Sequence, residues 1–496
     1  MVAWSALPAA LLVLIALRVH LQFATAETPS NASVAVVHTV ITTECLQFYE
    51  WQVIGLAYSW RRAGQPGPLT RLLSCTTENL QGYRATDAVA TVVVPNLRYN
   101  IALDDNYGPY NRPGALVTWL QVAQPEEPYV LILDADILFR KALTPMSLGA
   151  EPGWPVAPFS ADLRNVDAKL AERHISKVPQ RNNTLAGPRM RRADLVGGFI
   201  MVHKDDLAQL APMWLQSTAV LRMDPEAALL AGETSGRAGQ RAIAAEAIGY
   251  TFGAAAAGLQ HRADFGSIAM PANLLAGDPA VLHYPKWWQA GESSFWFWKM
   301  WYARFDAFAC PPWDLARPHP RSGLVARPPP LSTLSSRGYY RQRDLLSLEP
   351  AVRLNAALCE RHRRFCPASA QLVRECTKAE RMEAALDEEL EALEAELART
   401  PCEDTHELCK EWAKAGECVQ NPGFMRYGGN PSAVSLRRPQ RRVSGDCPAA
   451  FRVLGFLSLA AILDVTVWLG AVLLGALVAW QHLRPALAKR RIESRP

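Results

Sequence analysis

Two carboxylates stand one residue apart at the end of a strongly apolar segment, YVLILDADILF, which covers residues 129–139. A divalent cation that prefers hard oxygen ligands needs such an arrangement. A cation held there can bridge the two phosphates of a nucleoside diphosphate and neutralise the charge that develops as a leaving group departs. The competing interpretation is an Asp pair that caps the next turn, but a buried apolar strand has no structural reason to end in two unpaired carboxylates. The sequence therefore predicts a metal site at Asp134 and Asp136.

A third ligand is expected from farther along the chain, and His283 is the best candidate. It follows a short apolar stretch and lies among aromatic residues, with Lys286 close by to meet a phosphate. An imidazole beside two carboxylates suits a transition metal such as Mn²⁺. His261 is a less favoured alternative. Without the Asp pair, a hydrogen-bonded histidine in an aromatic core would be the better interpretation of His283.

Two glycines, Gly197 and Gly198, come directly before the apolar stretch FIMVH. Glycines in this position let a backbone approach a ligand closely. A bulge or a tight turn explains them equally well.

The elements that position these residues alternate between strand-like and helix-like segments from about residue 34 to 310. Apolar stretches predict buried strands at 34–42, 69–74 and 128–139, and helices at 51–63 and 115–121. Such alternation predicts an α/β fold with a mostly parallel sheet. Sheets of this kind bind ligands outside the carboxyl ends of their strands, which is where Asp134 and Asp136 stand.

Two later segments differ in character. Residues 311–330 are rich in Pro and Arg and are predicted to be an extended surface segment. Residues 377–400 carry apolar residues at helical spacing among many Glu, which predicts an amphipathic helix that forms a stalk or a short coiled coil.

The ends of the chain predict a secreted or membrane-anchored protein. An apolar run at 9–17 before Ala24-Thr25-Ala26 predicts a cleaved signal peptide at 1–26, with an uncleaved signal anchor as the alternative. The apolar segment at 452–480 predicts a transmembrane helix, although Asp464 interrupts it and a buried helix is the alternative. The basic tail at 481–496 belongs in the cytosol, which predicts a type I topology with a lumenal catalytic domain.

The composition agrees with that compartment and excludes one class of protein. Ten cysteines would mostly pair in an oxidising lumen, and sequons begin at Asn31 and Asn182. The 52 basic and 47 acidic residues leave a net charge of +5 with no basic stripe interleaved with aromatics, so a nucleic-acid partner is not expected. The 15 Trp include candidates for stacking on sugar rings, although most single Trp would be core residues.

A set of segments between about residues 36 and 370 resembles, in this order, the peptidyl-serine α-galactosyltransferases of plants and green algae, and more widely the hydroxyproline arabinosyltransferases. The resembling segments are HTVITTEC (38–45), SWRRAGQPGPLTRLLSC (59–75), YNRP (110–113), LDAD (133–136), VGGFIMVHKDDL (196–207), EAIGYTFGAAAAGLQH (246–261), HY (283–284) and RQRDLLSL (341–348). Ordered agreement at this many points is more specific than any single motif.

The resemblance implies a GT-A-like nucleotide-sugar transferase domain at 27–376 with one Rossmann-like sheet. It implies UDP-galactose as the donor, and serine in hydroxyproline-rich, extensin-like proteins as the acceptor. The α linkage would form with retention at the anomeric carbon. The family's location implies the membrane of the endoplasmic reticulum or Golgi.

The resemblance also implies roles for individual residues. Asp134, Asp136 and His283 would hold Mn²⁺, with Lys286 as the phosphate contact. Thr42 and Thr43 would lie near the uridine, and Asn111 and Arg112 would approach the donor. Asp194 and Glu246 are the acidic candidates for a catalytic position near the sugar or the acceptor hydroxyl. No general base is assigned, because the leaving phosphate can itself take the serine proton.

The chain departs from the family at two positions. Gln289 stands where the family usually has a Lys after the His-Tyr pair, and Pro350 stands where related chains tend to have Cys. A second, shorter resemblance covers 401–447, where Cys402, Cys409 and Cys418 look like the start of a ShK-toxin-like module. Only three cysteines precede the long gap to Cys447, so a degenerate module is expected.

Three hypotheses for function follow. The first is an active serine O-galactosyltransferase, which the segments at 59–75 and 341–348 favour. The second is a hydroxyproline O-arabinosyltransferase or another glycosyltransferase of the secretory pathway. The third is a glycan-binding or peptide-binding protein without catalysis, against which the intact Asp134 and Asp136 pair argues.

Overall fold

The computed structural model describes residues 36–183, 185–233, 240–270, 278–290, 295–334 and 338–399. Four predicted features lie outside these ranges: the signal peptide at 1–26, the Cys-rich module at 401–447, the transmembrane helix at 452–480 and the tail at 481–496.

The described helices are α1 (Glu50–Arg62), α2 (Thr77–Leu80), α3 (Asn111–Val122), α4 (Pro145–Leu148), α5 (Ala168–Ile175), α6 (Lys204–Met223), α7 (Ala227–Leu230), α8 (Ala245–Ala256), α9 (Gly338–Phe365) and α10 (Ala370–Arg399). The described strands are β1 (Val37–Glu44), β2 (Leu69–Cys75), β3 (Ala90–Pro95), β4 (Tyr99–Asn100), β5 (Asp105–Asn106), β6 (Tyr129–Leu133), β7 (Ile137–Phe139), β8 (Val156–Pro158), β9 (Ile200–His203), β10 (Arg262–Asp264), β11 (Ile268–Ala269), β12 (Val281–His283), β13 (Trp288–Gln289) and β14 (Trp296–Phe297).

The central sheet has seven strands in the order β10-β8-β9-β6-β1-β2-β3. Strands β3, β2, β1 and β6 are parallel, whereas β9 runs antiparallel to β6 and β8. The sheet is therefore mixed, within an α/β arrangement of the kind that the alternating segments predict. The carboxyl ends of β1 and β6 lie side by side at one edge, because these two strands pair in parallel.

The apolar segment at 129–139 forms two strands, whereas the sequence predicts one. β6 ends at Leu133 in the central sheet, and β7 belongs to a separate three-stranded sheet, β11-β12-β7. The two aspartates lie in the turn between β6 and β7, where the chain passes from the central sheet to the smaller one. In the smaller sheet Ile137 lies opposite His283, so the pairing of β7 with β12 brings the histidine beside the aspartates.

Helices α6 and α8 pack closely because α8 carries two glycines on the contact face. A Cβ at Gly249 would lie 2.5 Å from Oγ1 of Thr218, and one at Gly253 would lie 2.7 Å from the backbone nitrogen of Trp214. No real Cβ tolerates such contacts, so only glycine allows this approach. The packing fixes Trp214 beneath Arg112, whose guanidinium carbon lies 5.6 Å from the indole centroid.

The amphipathic helix predicted from residue 377 begins earlier, at Ala370, as α10. Its apolar residues Leu386, Leu390 and Leu393 are buried in the cluster that also includes residues of α9. A disulfide between Cys359 and Cys376 ties the two helices together. The apolar face of α10 is thus covered by the chain's own fold.

Paired cysteines are found as predicted. The described disulfides are Cys45–Cys75, Cys310–Cys366 and Cys359–Cys376. Bonds of this kind persist in oxidising compartments. Cys45–Cys75 joins the carboxyl ends of β1 and β2, which are neighbours in the central sheet.

The predicted fold class and location need one correction. In the ranges that the structure describes, no helix is long and apolar enough to cross a membrane. The two longest, α9 and α10, carry charged residues along their length, which a hydrocarbon core does not accept. This finding contradicts the predicted transmembrane helix and the predicted type I membrane location. The segment on which they rested, 452–480, lies outside the described residues.

Candidate metal and donor site

Asp134, Asp136 and His283 lie together at the carboxyl edge of β6. One ligand atom from each residue can be chosen so that all three lie within 4.8 Å of one another. Nε2 of His283 lies 3.2 Å from Oδ1 of Asp136 and 3.7 Å from Oδ2 of Asp134. Asp136 and His283 are buried, whereas Asp134 is partly exposed, so the cluster is open on one side. The three residues that the sequence predicts as metal ligands are thus brought together.

Lys299 is a further cation at this cluster, and the sequence analysis missed it. Its Nζ lies 2.5 Å from Oδ2 of Asp136. Burial alone would raise the pKa of Asp136, but the facing charges and hydrogen bonds of His283 and Lys299 hold it well below the usual range. Lys299 follows four consecutive aromatic residues, and its position in a Trp-rich segment beyond the His-Tyr pair was the available signal.

His283 faces the carboxylates of both aspartates across this cluster. Burial would lower the pKa of His283, but the charge of Asp136, the hydrogen bond to it and the charge of Asp134 raise it above its ordinary value. Its Nδ1 is buried and has no hydrogen-bond partner among the described residues. A metal ligand must be the neutral imidazole, so a metal at this site would compete with a proton for His283.

Arg112 links the two aspartates to a second acidic group. Its Nη1 lies 3.4 Å from Oδ1 of Asp134 and 3.7 Å from Oε1 of Glu246, and its Nη2 donates to the carbonyl of Gly198 at 3.1 Å. Burial would lower the pKa of Arg112, but the charges of Asp134 and Glu246 raise it. Gly198 has a φ of +105°, a conformation that favours glycine and that turns its carbonyl to this contact. Of the two glycines, Gly198 therefore contacts Arg112, a residue predicted to approach the donor.

Glu246 lies in the first turn of α8, and its side chain is 15% exposed within this site. Its Oε1 has no hydrogen-bond partner among the described residues. Burial raises the pKa of Glu246 to about 7, an effect that the Arg112 charge opposes and the Asp134 charge reinforces. A carboxyl with this pKa near neutral pH and a free oxygen is suited to proton transfer.

Asp194, the other acidic candidate, is fully engaged in a different set of contacts. One oxygen accepts from Arg181 at 2.9 Å and from both Nδ1 and the backbone nitrogen of His261, while the other accepts from Arg191. Burial opposes ionisation, but the hydrogen bond and charge of His261 and the charge of Arg181 hold the pKa of Asp194 at about 2. His261 continues through Nε2 to the hydroxyl of Tyr250 at 2.6 Å. His261 is thus a hydrogen-bonded core residue, apart from the Asp134 cluster.

We expect Asp194→Asn to lower the free energy of unfolding by about 3–5 kcal/mol, because the buried guanidinium groups of Arg181 and Arg191 would lose their counter-charge. Urea denaturation of the variant and the wild type would measure the change. Asp205→Asn is the matched control, since the carboxyl of Asp205 is 76% exposed. Unchanged stability together with a large loss of kcat would contradict this structural role.

The remaining predicted residues lie at the same edge or at its rim. Thr42 and Thr43 occupy the end of β1, where Oγ1 of Thr43 is buried without a hydrogen-bond partner among the described residues. Asn111 is the first residue of α3, but its side chain already accepts a hydrogen bond from the backbone nitrogen of Leu97 and donates one to Oδ1 of Asn96. Lys286 is exposed just after β12.

The donor set fits a divalent metal. Two carboxylates and one imidazole converge, and the buried His283 offers ring nitrogens for which burial without a ligand would be costly. Nε2 of His283 and the ammonium group of Lys299 both face Asp136, so its carboxylate lies where positive charge is favoured.

Comparison with known proteins agrees with the motifs. Residues 37–235 match the model of the hydroxyproline O-arabinosyltransferase family N-terminal domain. A peptidyl serine alpha-galactosyltransferase of Chlamydomonas reinhardtii is 36% identical over 84% of this chain and 57% of its own length. One of Arabidopsis thaliana is 34% identical over 67% of this chain and 38% of its own. This chain is homologous to the peptidyl serine alpha-galactosyltransferases. The predicted resemblance is thereby confirmed.

The hydroxyproline O-arabinosyltransferases are more distant relatives of this galactosyltransferase homologue. RDN2 of Medicago truncatula is 28% identical over 40% of the chain and 52% of its own length. Among solved structures, the galactosyltransferase LgtC in complex with donor and acceptor sugar analogues covers 50% of the chain at 15% identity. This match has a TM-score of 0.28 and covers 86% of the LgtC chain.

The chain spans 57% of the length of the algal relative and 38% of the length of the plant relative.

Proposed function

We propose that this chain is a metal-dependent glycosyltransferase that transfers galactose from UDP-galactose to serine in hydroxyproline-rich proteins, forming an α linkage with retention. The observation that carries the transferase chemistry is the cluster of Asp134, Asp136 and His283, open on one side, at the carboxyl edge of the sheet. The sugar and the acceptor are supported by the names of the relatives that match most of the chain.

In this proposal, Asp134, Asp136 and His283 hold Mn²⁺, which when bound neutralises charge on the donor diphosphate. Arg112 adds a buried positive charge beside Asp134 and orients that carboxylate. Thr43 presents an unpartnered hydroxyl to the uridine from the end of β1, with Thr42 beside it. Lys286 reaches the phosphates from the exposed rim of the site. Asn111 acts indirectly, because its side chain accepts a hydrogen bond from the backbone nitrogen of Leu97 and so holds that loop in place.

Proton transfer is assigned to Glu246. Its free Oε1 and its pKa of about 7 support a role in accepting the serine proton as the new bond forms. Asp194 is assigned a positioning role, because its oxygens are already committed to His261 and two arginines.

The test is a transfer assay with the full-length chain made in an oxidising host. The chain would be incubated with Mn²⁺, a serine-containing hydroxyproline peptide and a panel of UDP-sugars, and the peptide products analysed by mass spectrometry. We expect a hexose on serine from UDP-galactose alone, lost when EDTA is added. No transfer from any donor, with the peptide still bound, would contradict the proposal and favour a binding protein.

A hydroxyproline O-arabinosyltransferase is the second candidate. The match of residues 37–235 to that family's N-terminal domain favours it. In the same assay it would add a pentose to hydroxyproline, and replacement of hydroxyproline by proline in the peptide would abolish the product.

A further inference from the structure

Four tryptophans, Trp287, Trp296, Trp298 and Trp301, form a ridge on the surface, here called the tryptophan ridge. Trp287, Trp296 and Trp301 are 55%, 39% and 36% exposed, and Trp298 is half-buried. The ring centroid of Trp287 lies 6.5 Å from that of Trp296 and 6.4 Å from that of Trp298. The centroids of Trp298 and Trp301 are 6.1 Å apart. Large aromatic residues exposed together in this way mark a binding surface.

The ridge is continuous with the metal and donor site. Lys299, between Trp298 and Trp301 in the chain, forms the ion pair with Asp136. Trp287 belongs to the segment that leaves the site at His283. A ligand lying along the ridge therefore reaches the site where the proposed transfer takes place.

The ridge rests on a rigid base. Phe297 and Tyr302, which alternate with ridge residues along the chain, are buried, and their rings stack at a centroid distance of 5.7 Å. Both also contact Trp51 of α1. The ridge is thus held in place before any ligand arrives, which reduces the entropy lost on binding.

The ring orientations favour a corrugated ligand over a flat one. Trp287 and Trp298 meet at 86°, and Trp298 and Trp301 at 79°, so neighbouring rings form clefts instead of one open face. One face of Trp301 is also covered by His319, whose ring stacks on it at 4.0 Å. A sugar ring stacks on a single open aromatic face, whereas the rings of a polyproline II helix dock into aromatic clefts.

We propose that the tryptophan ridge binds an extended, proline-rich or hydroxyproline-rich segment of the acceptor protein in polyproline II conformation, an inference that rests on the proposed function. Two residues of such a helix rise by about 6 Å, which is close to the spacing of the ridge rings. The backbone carbonyls of this helix are unpaired and can accept from indole N–H groups. The segment would thereby deliver a neighbouring serine to Glu246.

The test measures peptide binding by calorimetry with the full-length chain, without metal or donor. The probe is a serine-containing oligoproline peptide, and the control peptide has alanine in place of proline. We expect Trp287→Ala/Trp296→Ala to weaken binding of the oligoproline peptide by at least about tenfold. Trp296→Phe should recover part of it, and Phe365→Ala, which removes a 46% exposed aromatic outside the ridge, should have no effect.

The outcomes separate this inference from the proposed function. Loss of peptide binding in the double variant supports the ridge even if no sugar is transferred from any donor. Active transfer with an unchanged KM for the peptide in the double variant overturns the ridge and leaves the transferase intact. The ridge proposal is also overturned if the alanine peptide binds as tightly as the oligoproline peptide. The same holds if the double variant loses binding of an oligosaccharide but keeps binding of the oligoproline peptide. Circular dichroism would verify that each variant is folded.

Discussion

Asp136→Asn is expected to reduce kcat/KM for sugar transfer by roughly a thousandfold or more. The substitution keeps the shape of the side chain but removes the charge that faces His283 and Lys299. Lys299 would then repel a divalent metal without an opposing carboxylate at Asp136, so metal affinity and transfer should fall together. Steady-state kinetics would measure the transfer, and calorimetry with Mn²⁺ alone would measure the metal.

Two further variants make this result interpretable. Asp134→Asn removes a ligand whose side chain is 35% exposed, so it should lose metal binding with little risk to folding. Asp162→Asn changes an exposed aspartate away from the cluster and should behave as the wild type. Activity within tenfold of the wild type in both cluster variants would show that the two carboxylates do not hold a catalytic metal.

The second large effect concerns Glu246. Glu246→Gln is expected to lower kcat by roughly 10²–10⁴, the range lost when a general base is removed. The pH dependence gives a sharper test than the magnitude. A base acts when deprotonated, and the pKa of Glu246 is raised to about 7. Wild-type kcat/KM should therefore rise with pH up to about 7 and level off above it.

Loss of that rising limb in Glu246→Gln would assign the limb to this residue. A limb that persists with full activity would instead point to the leaving phosphate as the base. Glu172→Gln is the matched control, because the side chain of Glu172 is 59% exposed. Transfer rates across the pH range, at saturating Mn²⁺ and donor, would distinguish these outcomes.

Lys299 shows where motif comparison was insufficient. The family pattern expects a lysine shortly after the His-Tyr pair, and the sequence offered Gln289 and Lys286 near that position. The structure places Lys286 at the exposed rim, and Lys299 reaches Asp136. The cation that faces the cluster thus comes from a later part of the segment, beyond the span that a linear pattern examines.

Much of the fold and of the metal cluster was predictable from local patterns. Apolar runs that end in polar residues located β1, β2 and β6 and put Asp134, Asp136 and Thr43 at strand ends, because parallel strands present their carboxyl ends at one edge. The spacing of leucines located α10, since the helical period is local. His283 could also be chosen as a member of the cluster, because it follows a short apolar stretch.

Long-range packing decided the rest. The break between β6 and β7 depends on β12 pairing with β7 in a second sheet, which no local pattern encodes. The roles of Asp194 and Glu246 diverged for the same reason. Asp194 meets two arginines and a histidine that fully satisfy it, whereas Oε1 of Glu246 faces Arg112 at 3.7 Å and has no hydrogen-bond partner among the described residues. Desolvation and opposing charges act through space, so two acidic residues of equal standing in the sequence acquire pKa values of about 2 and about 7.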